Sequence, residues 1–123
     1  MKYTIIHTIS LVAPNTNWSI MGDDYSTLQW LSDPSLKPSL DALEQKAAEL
    51  NAAEPMRLLR LERDRRLAEV DWMVVKAYSQ GLPISPELSA YMQALRDLPD
   101  TADPKLDERY ELDLNSVVWP TKP

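Results

Sequence analysis

The chain has 123 residues, 44% of them hydrophobic and 26% charged, and carries a formal net charge of -6. That is one domain's worth of globular protein with a modest core. The acidic balance removes the electrostatic case for nucleic acid, and the lack of Cys excludes disulfides, thiol catalysis and Cys-ligated zinc. His7 is the only histidine, which rules out a Ser-His-Asp triad and a His-rich metal site. No phosphate-cradling Gly loop is present, so no cofactor and no metal is expected. Two Gly against ten Pro favours helices ended by defined stops. No apolar run is long enough to span a membrane.

Taken in order, residues 2–12 are rich in β-branched and aromatic types (Tyr3, Thr4, Ile5, Ile6, Thr8, Ile9, Val12), which predicts a strand. The same stretch is too polar for a signal peptide. Pro14 to Asn17 is a turn cluster, Trp18 to Met21 a second short strand, Gly22 to Asp24 a turn, and Thr27 to Leu31 a third strand. The expectation is a small N-terminal antiparallel β-element over 1–31. Residues 32–38, with two Pro and two Ser, read as a linker.

A helical region is expected over 39–98. Ser39 is a good N-cap, and Leu40, Leu43, Ala47 and Leu50 form a narrow seam of coiled-coil spacing. Pro55 is expected to stop or kink this helix. A central helix then runs from about Met56 to Tyr78, closed by Gln80-Gly81-Leu82-Pro83. On its wheel Met56, Leu59, Leu67, Val70, Met73, Val74 and Ala77 share one face, and Leu58, Leu61, Ala68 and Trp72 share a second. Arg63 interrupts the first face and needs an acceptor, with Asp71 or a C-terminal acid as candidates. Ser85-Pro86-Glu87 restarts a helix whose Leu88, Tyr91, Met92 and Leu95 follow an i, i+3, i+4, i+7 stripe, and Leu98-Pro99 ends it. Residues 99–123 form an acidic, mostly irregular tail that closes on an apolar Val117-Val118-Trp119-Pro120 hook. Trp18, Trp30 and Trp72 are expected in the core, because a chain without Phe must use Trp and Tyr there.

Arg63-Asp64, Leu67 and Asp71-Trp72, followed by Tyr91-x-x-x-Leu95-Arg96-Asp97 and a closing Trp119-Pro120-x-x-Pro123, resemble the small tail assembly chaperones of tailed bacteriophages. The resemblance covers about the last half of the chain. The leader residues Asp24 to Leu31 and Lys37-Pro38 are similar as well. Met73 to Tyr78 departs from it, because relatives often carry a shorter polar linker there.

The resemblance implies a non-enzymatic binding protein that assists assembly of a phage tail, in particular the tail fibre, in the host cytoplasm. A structural protein retained in the virion tail is the alternative. The implied partner is a tail or tail-fibre protein, with a second copy of the chain as a further candidate and neither nucleic acid nor membrane. The candidate partner-binding residues are Arg63, Asp64, Asp71, Trp72, Tyr91, Arg96, Trp119 and Pro120. The expected fold is mostly α (α+β): the β-element, a linker, then helices including a helical hairpin and an irregular tail.

Overall fold

A computed structural model describes all residues, 1–123. The fold is mainly helical, with α1 (Ile5–Val12), α2 (Leu40–Ser79) and α3 (Pro86–Thr101), and a two-stranded antiparallel sheet of β1 (Trp18–Ser19) and β2 (Gln29–Trp30). The chain forms two compact units, Met1–Glu54 and Pro55–Pro123.

In the first unit, residues 5–12 are a helix and not the expected strand. Ile5, Thr8 and Ile9 recur at i, i+3, i+4 and are buried there, with Ile5 and Ile9 packed on Leu43 of α2. Burial on one helical face therefore overrides the β-branched propensity of the stretch. The start of α1 is capped from two sides. Thr4 N–H donates to Nδ1 of His7 at 3.0 Å, and Asp23 accepts from Thr4 Oγ1 at 2.6 Å and Ile6 N–H at 3.3 Å. The sheet is thus two strands rather than three, with Trp18 opposite Trp30 and both rings half-buried on the Ile5–Ile9–Leu43 cluster. The linker contains one 3-10 turn, Pro34–Leu36, capped by Asp33.

Ser39 caps α2 as its sequence predicts, accepting from Ala42 N–H at 3.1 Å. Pro55 does not stop this helix, which is continuous from Leu40 to Ser79. The proline removes one N–H from the ladder, and helix-forming residues on both sides keep the rest. The C-terminus of α2 is a Schellman closure. Gly81 has φ +66, Gly81 N–H donates to Tyr78 O and Leu82 N–H to Ala77 O. Ser85 caps α3 by accepting from Leu88 N–H at 3.1 Å. The helix then runs past Pro99 to Thr101, three residues beyond its expected end. Residues 102–123 carry a Leu106–Leu112 bridge and a 3-10 turn, Leu114–Ser116, but no further helix.

Candidate partner-binding surface

Within the second unit, α2 and α3 form the expected helical hairpin. Val70, Leu88, Tyr91 and Leu95 are its buried core, with Leu67, Met73, Val74, Ile84, Met92 and Trp119 packed around them. Two helices alone leave one side of such a core wet, and the C-terminal segment covers it. Val117 is buried and Trp119 half-buried. The Trp119 indole N–H donates to Leu114 O at 3.1 Å, so the hook is hydrogen-bonded within itself while its ring lies on the helices. The guanidinium of Arg66 stacks over that ring, 4.1 Å from its centroid.

Arg66 is held in turn. Its Nε donates to Glu62 Oε1 at 2.9 Å, and Arg65 grips the same carboxylate through two bonds of 2.8 and 2.9 Å. These bonds, that from Arg65 first, hold the Glu62 carboxyl below the ordinary glutamate range, and Glu62 in turn stabilises the Arg65 cation. In the sequence Arg66 stands four residues after Glu62, the spacing of a helical ion pair. The signal for its second role is that it too interrupts the apolar face of α2.

The opposite face of α2 is flanked only at its start, where Leu58, Leu61 and Arg65 line an open groove of about 370 Å³ with Leu112 and Leu114 of the tail. Leu61, Trp72 and Val75 are 54%, 60% and 65% exposed, and Ala68 between them is also exposed. Trp72 is therefore a surface residue rather than the core aromatic its composition suggests. At the hairpin's closed end Trp72 forms part of the wall of an open, mainly apolar groove of about 220 Å³, with Met73, Ala77, Leu82, Ile84 and Leu88 among its other lining residues. That volume is below the range typical of small-molecule sites and suits one or two side chains of a protein partner.

The family model for phage tail assembly chaperone proteins matches residues 56–123, more than half of the chain. The chain belongs to the phage tail assembly chaperone family. No curated protein and no solved structure matches it.

The family-matched segment coincides with the second unit, so the chaperone signature resides in the helical hairpin and its strap. The structure distributes the candidate residues of that chaperone segment unequally. Tyr91 is 5% exposed inside the hairpin core, and Trp119 and Pro120 lie on the strap. Arg63 is half-buried and pairs with its neighbour Asp64 at 3.0 Å, not with Asp71 or a tail acid. An adjacent carboxylate satisfies the cation without the closure of a loop that a distant acid would require. Asp71, Trp72 and Arg96 are exposed, Asp71 and Trp72 as consecutive residues of α2 that point about 100° apart.

A larger groove, about 870 Å³, lies in the first unit, outside the matched segment. Its polar groups serve the fold. Asp23 caps α1, Asp24 accepts from Ser26 N–H and Oγ, and the Tyr25 hydroxyl donates to Pro38 O. No group of three or more His, Asp and Glu residues is arranged to hold a metal ion. No helix is long and apolar enough to cross a membrane.

Proposed function

We propose that the chain binds a phage tail protein, the tail-fibre protein in particular, without catalysis, and assists its folding or assembly in the host cytoplasm. The observation that carries this reading is the hairpin of the family-matched segment. Its inner core is closed, yet it leaves an apolar groove open at one end, with Leu82 59% exposed at its rim. An exposed apolar surface on an otherwise charged chain is what a binding protein needs in order to cover hydrophobic surface on a folding partner. Among the candidate residues, Tyr91 and Trp119 pack within the hairpin, while Asp71, Trp72 and Arg96 are exposed.

The test is the fate of the chain during assembly. A chaperone is present in lysates during tail maturation and depleted from purified particles. Retention at a fixed number of copies per particle is the result that would favour a structural tail protein.

A further inference from the structure

The exposed face of α2 has an internal symmetry. Leu58, Leu61, Arg65, Ala68, Trp72 and Val75 follow one another at alternating three- and four-residue steps, the spacing of a coiled-coil seam. Leu58 is half-buried and the others are exposed, and Leu58, Leu61 and Arg65 share an open groove with Leu112 and Leu114 of the same chain. Read from both ends, the seam is a palindrome. Leu58 and Val75, Leu61 and Trp72, and Arg65 and Ala68 are each symmetric about the same point between Arg66 and Leu67. On one flank Arg60 and Asp71 are symmetric about a point close by. Both are exposed, and neither has an ion-pair or hydrogen-bond partner among the protein's own side chains.

We propose that this face binds the same face of a second copy, as an antiparallel pair of α2 helices about a two-fold axis near residues 66–67. A two-fold contact requires a self-complementary surface, and the palindrome supplies one. Each Trp72 lies on the partner's Leu61 and each Leu58 on the partner's Val75. The long side chain of Arg65 meets only the small Ala68, which leaves it room. Each orphan Arg60 finds an orphan Asp71. The remaining carboxylates near the axis do not oppose the approach. Glu62 and Glu69 are bonded to Arg65, and Asp64 to Arg63. Elsewhere two copies of a chain with net charge -6 repel each other, so a stripe of mixed sign is where they can meet.

Sedimentation equilibrium of the full chain tests this. The wild type is expected to be dimeric at about 0.1 mM. Trp72→Lys should weaken the dimer about a hundredfold while leaving the circular-dichroism melt of the dilute protein unchanged, because Trp72 is exposed within the monomer. Arg60→Asp and Asp71→Arg should each weaken it roughly tenfold. The double variant R60D/D71R should restore it, because the swapped charges meet again across the axis. A monomeric wild type would overturn the proposal, as would a dimer indifferent to Trp72→Lys. A double variant no better than the single ones would overturn the antiparallel register.

Discussion

The guanidinium of Arg66 lies 4.1 Å from the centre of the Trp119 ring, joining the middle of α2 to the last turn of the tail. With Val117 it makes the acidic tail part of the hairpin instead of a free tether. Removing residues 116–123, or Trp119→Ala alone, is expected to destabilise the isolated protein. The point mutation should cost about 1–3 kcal/mol, from lost burial and the lost cation–π contact. Chemical denaturation followed by helical circular dichroism measures it, and an unchanged midpoint would show that the strap contributes nothing to the fold.

Val70 is fully buried between Leu88, Tyr91 and Leu95. Val70→Asp places an unpaired carboxylate there and should lower stability by several kcal/mol, about 3 or more. Val75→Asp, on the exposed face of the same helix, should change the monomer's stability by about 0.5 kcal/mol at most. Comparing the two midpoints in dilute protein tests the assignment of inner and outer faces, and equal losses would contradict it.

The Glu62 carboxyl titrates below its ordinary range because Arg65, and then Arg66, bond to its charged form. A carboxyl depressed in the folded state contributes stability that is complete above its unfolded value, about 4.3. That contribution is lost as pH falls through the lower folded value. Glu62→Gln should therefore reduce stability near neutrality, and the gap between variant and wild type should narrow on acidification below about pH 4.3. Denaturant midpoints at neutral and acid pH give the comparison, and a gap independent of pH would show that the fork is not coupled to folding.

The Asn51 amide accepts from Tyr3 N–H at 2.7 Å and donates to Tyr3 O at 2.9 Å, a side chain acting as the N-terminus's strand partner. Asn51→Ala should release that segment at a cost of about 1–2 kcal/mol. Faster amide exchange at residues 3–6, with protection in α3 unchanged, is the expected signature. Uniform protection in both regions would contradict the tie.

What could be read in advance follows the strength of the local signals. Ser39, Gly81 and Ser85-Pro86 are punctuation with a mechanism, and each occurs where its chemistry predicts. The Val70–Leu88–Tyr91–Leu95 contact follows from two clear helical stripes. Residues 5–12 misled because β-branched composition and the i, i+3, i+4 spacing of Ile5, Thr8 and Ile9 point to different structures, and contact with Leu43 decides between them. Pro55 and Pro99 misled because a proline removes one N–H, a loss a long helix or a last turn can absorb. Trp72 was legible as part of a second face, but a helix wheel does not say which of two apolar faces finds a partner. The Arg66–Trp119 stack joins residues distant in sequence, and no spacing rule reaches it.

Binding of a tail protein in the groove at the hairpin's closed end is tested most directly by co-expression with the tail-fibre protein. Wild-type chain should raise the soluble fraction of the fibre protein and co-purify with it. Leu82→Lys, at the exposed rim of the groove, should abolish both while retaining the wild-type melting curve. A Leu82→Lys variant that binds and solubilises the fibre protein as well as wild type would contradict the account.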